Sequence, residues 1–270
     1  MDSIRECEKL EDMATNLKLE LDNDIDNEIS MVLVEGSDDV KFCKRVMNKN
    51  VVVYESFSGK HDLEKLILHD KLKDERVIAI RDRDYSEVES LPDKMYVYDT
   101  CCLETMLLSN RAIREGLYDT YYKGNVELNE LFSKIIKQLG PVSMLRRKQE
   151  KEGLTINFNK MKLLSCYDDI SGILDAEAIF RNLGINNEIY LECKEQASQL
   201  SLNELYGNTN GHDLCKILGA ILKNKKGSIG EDRVMDSMMC SYRRDDFKKT
   251  ELYLQLLRYQ KNCNVEYVEE

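Results

Sequence analysis

Several features that would quickly classify a 270-residue chain are missing from this one. No apolar run approaches the ~18 residues that a membrane span needs. The opening MDSIRECEKLEDM has no apolar core of a signal peptide. Export and membrane insertion are therefore not expected. The nine cysteines form no CxxC pair, and His61, His69 and His212 lack the spacing of a zinc finger. Most of the cysteines fall at apolar positions, as small buried hydrophobes do, and a reducing cytoplasm is the natural compartment. A GxxxxGK[ST] phosphate loop is also missing: SFSGKHD lacks the upstream glycine, so any ATP hydrolysis needs another subunit. There are only two prolines, Pro92 and Pro141, with no low-complexity linker and no internal repeat. The length and ordinary hydrophobic content describe a soluble protein of one large or two modest domains.

The net charge of −11 argues, on its face, against a nucleic-acid partner. Its distribution changes that reading. Residues 1–100 carry 15 Lys and Arg against 25 Asp and Glu, whereas residues 101–200 carry 13 against 14 and residues 201–270 carry 11 against 11. From Lys134 to Lys162 the chain has eight basic residues, including Arg146, Arg147 and Lys148, against only Glu150 and Glu152. Such a stretch can track a phosphate backbone, or it can be a solvated helix face followed by a loop.

Hydrophobic periodicity predicts a leading amphipathic helix over residues 5–21, followed by alternating elements. Short apolar runs at Ile29–Val34, Val51–Tyr54, Val77–Ile80 and Met95–Tyr98 read as strands. Helices follow at Asp38–Met47, with Ser37 as a candidate cap, and from about His61 to Leu72 after a Ser58–Gly59 turn. This alternation predicts a parallel α/β sheet. Beyond Asp99 the pattern is mostly helical, at Leu128–Leu139, Leu191–Leu202, Asp213–Leu222 and Asp246–Tyr259, with one strand-like run at Leu154–Phe158. The expected organisation is an α/β domain over residues 1–110 and a mostly helical portion over residues 111–270.

Ligands of open α/β sheets bind beyond the carboxyl ends of the strands. MVLVEGSDDV places Glu35 just past the first strand, with Asp38 and Asp39 opening the next helix. VIAIRDRDY places Asp82 and Asp84 just past the third strand, two apart and so able to face one ligand. Glu104 follows the fourth strand in TCCLETMLL. Carboxylates converging on one edge need a cation between them, and an all-oxygen donor set favours Mg²⁺ or Mn²⁺. A lone DxD is a weak signal, since acids after strands are common. The order strand, Glu-Gly, helix, then strand, DxD is far more specific.

That ordered pattern resembles the TOPRIM superfamily. Within it, the chain is similar to the small OLD-like nucleases that accompany ABC-type ATPases in bacterial anti-phage systems. The matching segments are VEGSDDVKF, FSGKHDLEKL, IAIRDRDY, CLETMLL and NGHDLCKIL. Many relatives have Glu-Asn where this chain has Glu104-Thr105. The resemblance implies a TOPRIM-type parallel sheet and a Mg²⁺- or Mn²⁺-dependent endonuclease acting on RNA, tRNA among its candidates, or on DNA. It also implies an ABC-type ATPase as controlling partner. By position it gives Glu35 the roles of metal ligand and general base, makes Asp82 and Asp84 the main ligands with Asp38 or Asp39 in support, and assigns Glu104 to a second metal. Lys60 would stabilise charge on the scissile phosphate, or be a surface lysine beside a helix start. His212 would orient a phosphate or a water, or help cap a helix with Asn210 and Gly211. A homodimer is compatible with the sequence but has no signature in it. The competing readings are a catalytically silent TOPRIM-fold module that binds nucleic acid or the ATPase, a topoisomerase or primase fragment, and a DxD glycosyltransferase. The fragment would need domains not seen here, and the glycosyltransferase leaves VEGSDD unexplained.

Overall fold

The structure, a computed structural model, describes residues 2–57, 59–86 and 88–269, with side chains from residue 9 onward except that of residue 89. Ser58 of the expected Ser58–Gly59 turn lies outside the described residues. The chain divides into two compact units: Met1–Asp99 with Arg243–Glu270, and Thr100–Tyr242. Among the described residues, no helix is long and apolar enough to cross a membrane.

The first unit is α/β. Its elements are α1 (Asp2–Asn23), β1 (Ser30–Val34), α2 (Ser37–Val46), β2 (Val51–Glu55), α3 (Lys60–Ile67), β3 (Val77–Arg81) and β4 (Met95–Val97). The four strands form an all-parallel sheet in the order β2-β1-β3-β4. Every residue of β1 and β3 is buried, which is why both read as unbroken apolar runs; β2 alternates buried and half-buried positions. Leu17 and Leu21 of α1 and Leu63, Leu66 and Ile67 of α3 cover one face, packing on Met31, Leu33, Val77 and Ala79. The chain goes outward from β1 to β2, then crosses back to place β3 on the other side of β1. The strand order therefore reverses between β1 and β3, and the crevice past their carboxyl ends is the switch point where such sheets bind ligands. Val34 of β1 is in register with Ile80 of β3, so the residues following both strands emerge side by side.

The second unit is mostly helical. Its elements are α4 (Leu103–Ser109), α5 (Arg111–Tyr121), α6 (Leu128–Glu152), the hairpin of β5 (Tyr167–Asp168) and β6 (Ile173–Leu174), α7 (Ala176–Asn182), α8 (Asn187–Gln199), α9 (Leu202–Gly207), α10 (Gly211–Ile221), the hairpin of β7 (Lys223–Asn224) and β8 (Gly227–Ser228), and α11 (Glu231–Ser241). The helix expected at Leu128–Leu139 runs through Pro141 to Glu152 and ends at Gly153, whose φ of 65° supplies the left-handed cap. The strand expected at Leu154–Phe158 does not form. After Gly153 the chain is irregular, and Asn157 caps a 3₁₀ turn at Phe158–Lys160 by accepting a hydrogen bond from the Asn159 amide.

The last segment, α12 (Arg244–Phe247) and α13 (Glu251–Cys263), belongs to the first unit, whereas the sequence pattern placed everything after residue 110 in the helical portion. The contacts explain its return. Phe247 packs edge-on against Phe42 with ring centroids 5.6 Å apart. Arg244 donates to the carbonyls of Arg45 and Met47, at the end of α2. Asp99 accepts hydrogen bonds from the Glu251 and Leu252 amides at 2.8 and 2.9 Å, satisfying the exposed donors at the start of α13.

Candidate functional site

In the first unit, Glu35 stands past β1 beside the turn after β3 that carries Asp82 and Asp84. Glu35 Oε1 accepts a hydrogen bond from the Asp82 amide at 3.2 Å. Burial and then the charge of Asp84 push the Glu35 carboxyl up to about 7, against the pull of Arg81, and Asp39 adds to the rise. That order of causes shows carboxylates gathered in a partly desolvated crevice with less positive charge than they need. Asp84 has a φ of 49°, a left-handed conformation that Asp tolerates better than most residues and that turns the chain sharply after β3. Lys60, the first residue of α3, places Nζ 3.4 Å from Asp84 Oδ2. The preceding Gly59 has a φ of 74°, which directs the chain into that helix start.

The two acids that open α2 occupy different surroundings. Asp39 is structural: Oδ2 accepts the Gly36 amide at 3.0 Å, and Oδ1 accepts the Tyr98 hydroxyl at 2.6 Å. It closes the start of α2, which begins after Gly36 rather than being capped by Ser37. Burial, and then the charge of Asp39, hold the Tyr98 phenol well above its ordinary value. Asp38 is half-buried and pairs with Lys41 at 2.7 Å.

The sequence pattern missed Arg81. Its side chain is 1% exposed, its Nη1 pairs with Glu64, Nη2 donates to Ser86 Oγ at 2.7 Å, and Nε donates to the Asp82 carbonyl at 3.0 Å. Nε also lies 4.0 Å from Glu35 Oε1. Arg81 thus fixes the backbone of the DxD turn from beneath. The available signal was a charged residue ending an otherwise apolar strand, VIAIR.

In the second unit, Glu104 is buried near the start of α4, and its carboxylate lies against the start of α10. A Cβ added to Gly211 would sit 2.3 Å from Glu104 Oε2 and 2.5 Å from Cys102 Sγ, so a side chain there would have to displace both groups. This gives the NGHDLCKIL segment a physical role: Asn210 caps α10 by accepting the Asp213 amide, and Gly211 admits Glu104. Thr105, where many relatives have Asn, is fully buried. Its hydroxyl accepts the Cys102 amide at 3.1 Å and so caps its own helix. His212 is exposed, with Nδ1 2.7 Å from Glu231 Oε1 and 3.8 Å from Glu104 Oε1. Burial works against protonation of His212, but Glu104 and Glu231 together raise it above its ordinary value.

Two cations of the expected basic track are committed elsewhere. Arg146 forms a two-pronged pair with the buried Asp213, at 2.8 and 3.0 Å, and its guanidinium stacks 4.0 Å over the Phe158 ring. Lys148 bridges Glu152 and Glu192 at 3.0 and 2.9 Å, which holds α6 to α8 and raises the lysine above its ordinary value. Arg147 is half-buried on the same helix. Charge counted along the sequence overstates what remains for a ligand, because two of these cations already neutralise acids of their own unit.

In the second unit, Cys102 Sγ and the Glu104 carboxylate lie together at Gly211, and both are groups that can ligate a metal ion. No family model matches the chain, and no curated protein matches it.

Proposed function

We propose that the chain is a divalent-metal-dependent phosphodiesterase acting on RNA or DNA. The observation that carries this reading is Glu35 at the β1/β3 switch point, bonded to the Asp82 amide and raised by burial and by the charge of Asp84. The donors fit a hard cation. They are carboxylate oxygens, partly desolvated and mutually repelling, and Mg²⁺ or Mn²⁺ relieves that repulsion. When bound, the ion supplies charge neutralisation and an activated water for attack on a backbone phosphate.

The chain's own residues do the rest. Asp82 and Asp84 would hold the cation, while Arg81 keeps the turn that carries them rigid. Glu35, with its carboxyl near neutrality, accepts the proton of an attacking water. Lys60, beside Asp84, would meet the charge of the phosphate. Asp39 positions Gly36 and, through it, Glu35. Glu104, given room by Gly211, is the carboxylate to which the resemblance assigns a second ion. The resemblance read from VEGSDDVKF, IAIRDRDY and CLETMLL supports a toxic effector of anti-phage defence in the cytoplasm, held or delivered by an ABC-type ATPase.

A second reading, a silent binding module, draws on the Lys60–Asp84 pair at 3.4 Å and on Arg81, which already supply positive charge to the acids. Incubating the purified chain with cellular RNA and with DNA, in Mg²⁺, Mn²⁺ or EDTA, separates the two. The nuclease reading expects metal-dependent cleavage that Glu35→Gln and Asp82→Asn abolish. Equal cleavage by those folded variants overturns it, and metal-independent binding without cleavage, alone or with the ATPase, favours the silent module.

A further inference from the structure

The second unit contains a cavity of about 350 Å³ that the carboxylate chemistry does not use. That volume falls within the range of small-ligand sites. Leu131 and Ile135 of α6 and Ala220 of α10 give it an aliphatic floor. Two tyrosines, Tyr122 and Tyr167, stand over that floor.

Both aromatic walls are held in place before any ligand arrives. The Tyr122 ring packs on Tyr118 with centroids 4.9 Å apart, and Gly124 leaves it room: a Cβ there would lie 2.3 Å from the Tyr122 hydroxyl oxygen. Tyr167 opens the β5–β6 hairpin. Asp168 fixes the hairpin's turn by accepting the Ile170 amide at 3.0 Å and the Ser171 hydroxyl at 2.7 Å. The turn is tied down to α6, where Gln138 donates to the Gly172 carbonyl at 3.0 Å and Lys134 to the Ser171 carbonyl at 3.3 Å. Gly172 has a φ of 62°, the left-handed conformation that this tight tether requires. At the tip, the Ile170 side chain lines the cavity while 97% exposed, an apolar group with little packing of its own.

The charge around the cavity runs against that of the whole chain. Lys123, Lys134 and Lys223 line it, with Asp169 the acid among its lining residues, in a protein of net charge −11. Such a local reversal attracts an anion. A free phosphate would leave the tyrosines and the aliphatic floor unused, and an aliphatic anion would not need two aromatic walls.

We propose that this cavity binds a nucleoside phosphate, with the base against Tyr122, Tyr167 and the aliphatic floor and the phosphate on the lysines at the rim. Base stacking on aromatic side chains is tolerant of sequence and combines naturally with a cationic rim. The site does not rest on the metal-dependent reading, and the same chemistry is offered by a free nucleotide and by one nucleotide of a strand.

Calorimetric titration of the full chain in EDTA tests the assignment with four ribonucleoside 5′-monophosphates, a ten-nucleotide single-stranded RNA, ribose 5-phosphate and inorganic phosphate. At least one nucleotide probe should bind roughly tenfold or more tightly than ribose 5-phosphate. Mononucleotide binding assigns a free-ligand site, and binding of the oligonucleotide alone assigns a strand contact; either supports the proposal. Lys223→Glu, at an exposed position, and Tyr167→Leu should each weaken that binding by about tenfold or more. Glu35→Gln should leave it unchanged, which separates this site from the carboxylates of the first unit. If Tyr167→Leu does not fold, Lys223→Glu decides alone. No nucleotide binding, ribose 5-phosphate binding as tightly as the nucleotides, or wild-type affinity in folded Lys223→Glu would overturn the proposal.

Discussion

Two groups of acids, one in each unit, are treated differently. In the second unit the buried Asp213 faces Arg146 in a two-pronged pair, and Lys148 is shared between Glu152 and Glu192. Each of these charges is matched by one of opposite sign from the same unit. In the first unit, Glu35 is backed by the Asp82 amide but faces the charges of Asp84 and Asp39, with the nearest guanidinium nitrogen 4.0 Å away. The buried cation there, Arg81, is directed mainly at Glu64, Ser86 and the Asp82 carbonyl. Acids matched by protein cations hold the structure together. On the proposed function, Glu35 and Asp84, which face each other with Lys60 beside Asp84, are held ready for a cation from outside.

The sharpest way to break this comparison is to neutralise one acid of each kind. On the proposed function, Glu35→Gln lowers Mg²⁺-dependent cleavage by roughly 10³-fold while leaving the melting temperature near or above that of the wild type. Asp213→Ala does the reverse. It strands the Arg146 guanidinium and costs about 3 kcal/mol of stability by denaturant unfolding, with cleavage per folded molecule retained.

A pH titration sharpens the same contrast. In EDTA the folded chain keeps a proton on Glu35 up to about pH 7, while the unfolded chain releases it near the ordinary value of 4.5. The folded state therefore binds the extra proton between those values, and its stability falls as pH rises through that window. Comparing wild type with Glu35→Gln isolates the effect, which is at most about 3 kcal/mol across the window. A wild-type curve parallel to that of Glu35→Gln would show that the carboxyl is not raised.

Gly211→Ala is the next smaller perturbation. Its methyl group meets Glu104 and Cys102, so a cost of about 1–3 kcal/mol is expected in unfolding experiments. If Glu104 serves the chemistry, cleavage per folded molecule also falls; a loss of stability alone would leave Glu104 a packing residue. The smallest effect belongs to Lys148→Ala, about 1 kcal/mol or less, with nucleic-acid binding unchanged because that lysine is already engaged by two carboxylates.

Much of the first unit was legible before any coordinates. Ile29–Val34 and Val77–Ile80 read as strands because both faces of β1 and β3 are buried, leaving no polar alternation to confuse the pattern. Their final residues then directed attention to Glu35, Asp82 and Asp84. Pairing of side chains was not legible. Asp38 and Asp39 are adjacent acids at one helix start, yet one is on the surface with Lys41 and the other is locked between Gly36 and Tyr98, fifty-nine residues away. Arg146 and Lys148 read as free cations because their partners, Asp213 and Glu192, lie 67 and 44 residues further along. The return of α13 was hidden for the same reason, since the acid that accepts its first amides is Asp99, 152 residues upstream of Glu251. Leu154–Phe158 failed differently: an apolar composition suited to a strand has no paired neighbour there, and Asn157 turns the chain instead.

The central claim is that the acids past β1 and β3 hold a divalent cation. Calorimetric titration of the full chain with Mn²⁺, beside Glu35→Gln and Asp82→Asn, tests it most directly. The account predicts saturable binding by the wild type, weakened by at least about tenfold in each variant. No Mn²⁺ binding, or the same affinity in all three proteins, would contradict it.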